Sequence, residues 1–279
     1  MIDFRYHLVS LVSVFLALAV GIVLGAGPLK EGIDVGITDQ VRQLTAEKAD
    51  LRSQLDGADR AITARDEWAE VVEPALVAGR LTGRSIVLVL LPGAEASLAD
   101  DLATGLTAAG ASVTGRVAVS EAWTDPAQDD VRSAVVAELG STGQSTDARL
   151  ATALAGALVT SDPALVAQPE DPLRTVLPVF ADNGLVDVDG DLTQRASLAV
   201  AVAGPADTAP SAAQTEERSE SLTTLLTGLD AASDGVVLAG AVEASAEEGL
   251  IADVRAADAA EAVSTVDDAD VPMGRVSVV

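Results

Sequence analysis

The chain contains no cysteine. A disulfide framework, a thiolate metal site and a cysteine nucleophile are all excluded by that absence. It holds a single histidine, His7. No Ser-His-Asp arrangement can therefore form in the body of the protein. Aromatic residues make up 2% of the 279 positions, so the core must be built from Ala, Val, Leu and Ile. Basic residues are also scarce: 17 Lys and Arg stand against 43 Asp and Glu, for a net charge of −26. Binding nucleic acid requires a basic face that displaces counterions, so this composition argues for no nucleic-acid partner. It describes a solvated acidic surface, or a surface that attracts cations. No H-E-x-x-H, P-loop or G-x-G-x-x-G follows an expected strand.

One long apolar run is present. "HLVSLVSVFLALAVGIVLGAG" extends from His7 to Gly27, and Leu8 to Gly27 is 20 residues without a charge. A helix rises about 1.5 Å per residue, so roughly 20 residues cross a hydrocarbon core of about 30 Å. A signal-peptide core is shorter, about 7–15 residues. The run reads as a retained membrane anchor that contacts lipid, with cleavage near Gly25–Gly27 as the alternative. Arg5 in the short flank favours a cytoplasmic N-terminus and an extracytoplasmic body. Residues 1–30 carry one acid (Asp3) and two bases (Arg5, Lys30), whereas residues 200–279 carry 15 acids and 3 bases. The acidity begins where the apolar run ends. Ala17, Gly21 and Gly25 recur every four residues, a spacing that lets two membrane helices approach closely.

After Pro28 the pattern changes to a heptad. Val41, Lys48, Leu55, Ile62 and Ala69 fall at a positions; Ile37, Leu44, Leu51, Ala58, Arg65 and Val72 fall at d positions. The stripe lasts about five heptads and predicts a coiled-coil stalk, either a homodimer or a coil with another partner. An amphipathic helix lying on its own body is the other reading. Pro74 and Gly79 are the expected terminators.

From Gly83 onward, strands alternate with helices. "RSIVLVLLPG" (84–93) reads as a strand buried on both faces. A helix is expected over 97–109, with Leu98, Leu102 and Leu106 on one stripe. Strands follow at 112–120, 197–204 and 235–240, with helices at 130–139, 147–159, 216–229 and 246–262. "GRVSVV" (274–279) reads as a final strand, and "GPADTAPSAAQ" (204–214) as a loop. This alternation predicts an α/β fold, Rossmann-like, with a mainly parallel sheet. The expected organisation is an N-terminal membrane anchor (1–30), a coiled-coil stalk (31–80) and an extracytoplasmic α/β domain (81–279). The turn after the first strand, "LPGAEAS", places an acid where a phosphate would sit, which argues against nucleotide binding.

Two acidic clusters remain. "DVDGDLTQ" holds Asp187, Asp189 and Asp191 and superficially resembles a calcium loop. Its glycine falls at position four rather than six, so it reads as a turn. "STVDDADVPMGR" holds Asp267, Asp268 and Asp270, with Met273 beside them. It reads as a solvated loop before the last strand, and these three carboxylates are the metal candidates the chain offers. Copper favours sulfur or imidazole donors. With His7, Met1 and Met273 as the whole supply, a high-affinity copper site within one chain is not expected. Nothing in the chain motivates catalysis.

"MIDFRYHLVSLVSVFLALAVGIVLGAG", the heptad stalk, "LTGRSIVLVLLPGAE" and "VSTVDDADVPMGRVSVV" occur in that order. Together they resemble the mycobacterial copper transport protein MctB family across nearly the whole chain. The first stretch and the S-T-V-D-D…G-R segment carry most of the specificity. The resemblance implies an actinobacterial cell-envelope protein acting in copper homeostasis or efflux, with copper a possible ligand on that ground alone. Related corynebacterial members imply a different role, as partners of a membrane protein in daughter-cell separation and cell-wall hydrolase control. One anchor and an α/β body do not make a pore by themselves. A membrane barrel would need many alternating strands of about ten residues, which the sequence lacks.

Overall fold

The computed structural model describes residues 4–26, 29–140, 145–166, 171–190, 192, 194–206, 211–247 and 249–279. The chain divides into two compact units, Met1–Arg65 and Asp66–Val279. Asp191 and positions 207–210 of the expected 204–214 loop lie outside the described residues.

The first unit is helical. α1 spans Phe4–Ala26, and α2 spans Leu29–Val77 and so continues into the second unit. Every described side chain over 4–25 and 39–65 is exposed. Pro74 does not end α2 as the sequence suggested, because it lies inside the helix. A proline forfeits its own N–H bond, but its carbonyl still accepts one, here from the amide of Ala78 at 3.1 Å. Burial of Ala69 and Val77 holds this last stretch in place. The chain turns only at Gly79, whose φ of 75° favours glycine.

The second unit alternates as expected. In chain order it comprises β1 (Ser85–Leu90), α3 (Ala96–Ala108), β2 (Ser112–Val119), α4 (Asp129–Leu139), α5 (Thr146–Leu158), α6 (Asp171–Thr175), α7 (Leu177–Asp182), β3 (Val186–Asp189), β4 (Leu198–Val202), α8 (Ala212–Ala232), β5 (Val236–Ala239), α9 (Leu250–Ala256), β6 (Val263–Val266) and α10 (Pro272–Val278). The six strands form one sheet in the order β3-β2-β1-β4-β5-β6. All neighbours are parallel except β2 and β3, which are antiparallel.

β1 shows why the sheet has two cores. It is central and buried along its whole length. Successive side chains of a strand point to opposite faces. Val87 and Val89 therefore enter one core with α4, α5, α7 and α8. Ile86, Leu88 and Leu90 enter the other, where Leu98, Leu102 and Leu106 of α3 meet them. The stripe read from the sequence is thus the buried face of α3. Trp123 and Phe180 stack in the larger core with ring centroids 5.8 Å apart. α5 and α8 come close because Gly228 has no side chain: a Cβ there would lie 3.2 Å from the Cβ of Ala151.

The C-terminal region corrects the sequence reading. The expected last strand at 274–279 is helix α10, and the last strand is β6, formed by Val263–Val266 and paired with β5. Pro272 opens α10, where its fixed φ and missing N–H suit the first turn. Gly274 lets that turn lie against the loop, since a Cβ there would be 1.7 Å from the carbonyl oxygen of Asp268. The expected helix over 246–262 is also shorter. It is α9 followed by a 3-10 turn at Asp258–Glu261, after another 3-10 turn at Val242–Ser245. Gly249 lies against the carbonyl of Ala244, an approach that a side chain at this position would block.

Candidate functional site

α1 is the first candidate element. Phe4–Gly25 is a 22-residue segment long and apolar enough to cross a membrane. None of its side chains is used to build a core. The face carrying Gly21 and Gly25 is open, with nothing within 4 Å of either would-be Cβ.

α2 carries the heptad positions. Val41, Leu44, Leu51, Leu55 and Ile62 are exposed, from 47% at Ile62 to 64% at Leu44. The Ile37 side chain falls outside those described. The last positions behave differently: Ala69 is 1% exposed and Val72 is half-buried. One turn further on, Glu73 receives Arg275 of α10 on both carboxylate oxygens, from Nε at 3.3 Å and Nη2 at 3.2 Å. The two side chains are 14% and 15% exposed. Arg275 also donates to the carbonyl of Asp270 at 3.3 Å. Gly105 of α3 leaves room for Glu73, whose Oε1 lies 3.5 Å from a would-be Cβ. Nothing local in the sequence announces this pair, because its members are 202 residues apart.

The candidate acidic loop follows β6. Asp267 is bound to Arg255 of α9, with Nη1 2.7 Å from Oδ2. The hydrogen bond from Arg255 holds the Asp267 carboxyl below its usual range, against the opposing effect of partial burial. The guanidinium is raised in turn, chiefly by the same bond. Asp268 and Asp270 are exposed, and buried Ala269 between them donates its amide to the carbonyl of Gly240 at 3.0 Å. The Asp268 carbonyl accepts the amide of Val271 at 3.1 Å. The loop thus presents two carboxylates to solvent and commits the third to a cation of its own chain. Asp187 and Asp189 lie on β3, and Asp189 reaches Arg116 of β2 at 3.8 Å. Among the described residues, no group of three or more His, Cys, Asp or Glu side chains is arranged to hold a metal ion.

Two features of the body lay outside the sequence reading. A groove of about 660 Å³ runs between α8 and the α9 region, lined by Glu216, Glu220, Glu247 and Asp253 with several threonines. Ser219 donates to Asp253 at its edge. Its residues come from segments about thirty positions apart, so no local motif marked it. The second feature is the crevice at the carboxyl ends of β1 and β4, where a parallel sheet that reverses its strand order normally receives a ligand. Here Gly93 and Gly204 meet backbone to backbone: a Cβ on Gly204 would stand 2.5 Å from the carbonyl carbon of Gly93. The cavity beside them is about 40 Å³.

These observations define a class: a mixed α/β body with a mainly parallel six-stranded sheet, preceded by one apolar helix of membrane-spanning length. Comparison with known families is specific. The family described as "Copper transport outer membrane protein, MctB" matches residues 1–279, and this chain belongs to it. A Copper transporter MctB of Mycobacterium tuberculosis is 29% identical over 293 residues, covering 100% of this chain and 91% of the relative. The Mycobacterium bovis protein of the same name gives the same figures. The Mycobacterium leprae Copper transporter MctB is 28% identical over 300 residues, again covering 100% of this chain and 91% of the relative.

Proposed function

We propose that this chain is a single-pass cell-envelope protein acting in copper homeostasis or efflux, anchored by α1 with its body outside the cytoplasm. The family match along the whole chain is the observation that carries this reading. The protein acts without catalysis, as an anchored and paired body. Copper is cargo, met weakly or at sites shared between chains. The donor set supports that limit, since the sequence holds no Cys, one His and two Met. Exposed Asp268 and Asp270, with Asp267 behind them, are hard oxygen donors suited to transient contact.

The body reads as Rossmann-like, supported by its strand order, with one edge strand reversed. The Gly93–Gly204 contact favours a scaffold use of that fold over a nucleotide site.

Pairing is assigned to α2 as a parallel coiled coil of two copies. Two chains anchored at their N-termini in one membrane leave it in the same direction. Glu47 falls at a g position and Arg52 at the following e position, a pair that is complementary across a parallel dimer. Lys48, charged within the seam, has Glu47 of a second copy beside it in the same register.

A second reading is favoured by the exposed seam itself: a scaffold that couples a membrane partner to cell-wall hydrolysis and daughter-cell separation. One experiment separates the two. A strain lacking the protein is complemented with the full chain or with L51D/L55D, and cell-associated copper and cell separation are measured together. The copper reading expects raised copper and normal division in the deletion strain. Chained cells with normal copper would overturn it and support the scaffold.

A further inference from the structure

The heptad seam of α2 fails before the helix ends. Arg65 places a charge at a d position, Ala69 is 1% exposed against its own body, and Val72 is half-buried there. A second copy following the heptad would find these positions charged or occupied. The positions one residue earlier are different. Ala64, Trp68, Val71 and Ala75 are apolar, all are exposed, and they step by four, three and four. Trp68 is 61% exposed and Val71 79%.

Successive helix positions are about 100° apart, so this second stripe is the first one rotated by a single residue. It lies away from the side of α2 that carries Ala69, Glu73 and Val77 into the body. Shifts of phase within a heptad pattern are accommodated by local over- or underwinding of the coil. Tryptophan is the residue type most enriched at the energetic centres of interfaces, where its large apolar surface is covered. The other tryptophan, Trp123, is fully buried and stacked on Phe180.

We infer that the contact between copies changes phase by one residue near Ala64, and that beyond it Trp68, Val71 and Ala75 of one chain pack on the same residues of a second copy. This rests on the parallel pairing proposed above. The occupant is a second copy because the stripe continues the seam along the same helix. Equal residues of parallel chains in register lie opposite one another, and the stripe is apolar, as a self-contact requires.

The absence of cysteine makes the test direct. Full-length protein reconstituted in lipid nanodiscs carries single cysteines by L55C, V71C, A75C or E70C, and each variant is treated with a short bismaleimide. Acrylamide quenching of Trp68 is read in parallel, with W68F supplying the Trp123 background. The inference expects efficient inter-chain linkage at L55C, V71C and A75C, little at E70C, and Trp68 quenched several-fold less than a free indole. Linkage at L55C with none at V71C or A75C overturns the phase shift and leaves the pairing standing. If Trp68 is protected in that case, the cover is lipid or another protein. Equal linkage at E70C and V71C overturns it as random collision. No linkage at any position overturns both the phase shift and the pairing.

Discussion

The two units differ in where their apolar side chains lie. In Asp66–Val279, side chains from both faces of the sheet fill two cores, and Trp123, Phe180 and Leu225 are fully enclosed. In Met1–Arg65, every side chain described over 4–25 and 39–65 faces outward, including large apolar residues at regular spacing. Packing rather than propensity supplies most helical stability in proteins. The body buries its apolar surface within itself, whereas the described apolar side chains of the N-terminal helices stay exposed up to Arg65. An apolar residue therefore plays different parts in the two units: in one it fills a core, in the other it is left exposed.

The sharpest way to break this contrast is in the larger core. Trp123→Ala should destabilise the body by about 3–5 kcal/mol, because the stacked pair with Phe180 becomes a cavity. Thermal unfolding followed by near-ultraviolet circular dichroism would measure it, with any self-association of the folded protein unchanged. The next effect lies in the other unit. If α2 pairs as proposed, Leu55→Asp should weaken self-association at least about tenfold, which is about 1.4 kcal/mol, while the body's melting temperature stays put. Sedimentation in detergent would read the first and calorimetry the second. Loss of body stability by Leu55→Asp would erase the distinction between the units.

Glu73→Ala sits where the contrast is drawn. It strips Arg275 of its carboxylate in a largely enclosed position and should lower body stability by about 1–3 kcal/mol, as when a buried polar group loses its partner. Denaturant unfolding would check it, with Arg275→Ala giving a similar loss and the double variant less than the sum. The smallest effect belongs to Asp267→Asn, under about 1 kcal/mol, because the ion pair with Arg255 is more than a third open to solvent. Its pH dependence has a definite sign. The folded carboxyl titrates below the ordinary value of 3.8, so its contribution is complete above that value and disappears as pH falls through the lower folded one. Wild type and D267N should therefore differ in melting temperature at neutral pH and converge in acid.

Much of the body was legible from local pattern. "SIVLVL" read as a strand buried on both faces, as β1 is, and the four-residue spacing of Leu98, Leu102 and Leu106 marked the buried face of α3. The exchange at the C-terminus was not legible. "VSTV" and "GRVSVV" are both β-branched runs, and local preference cannot choose between them. What decides is remote: β5 offers an edge that Val263–Val266 fills, and Gly274 can then lie on the Asp268 carbonyl only if the chain has already turned into a helix. The acidic loop was legible as a cluster but not as chemistry, because the cation that claims Asp267 comes from α9. The groove on α8 and the Glu73–Arg275 pair were invisible for the same reason, since their members meet only through the fold.

The meeting of Gly93 and Gly204 has one further consequence. A binding fold can be retired by plugging its crevice with bulk, and a later mutation can shrink the plug and reopen it. Here the main chain itself fills the point where Gly93 meets Gly204, at two residues that have no side chain left to lose. A side chain on Gly204 would run into the Gly93 backbone, and one on Gly93 would be strained by its positive φ of 81°; neither substitution carves out room for a guest.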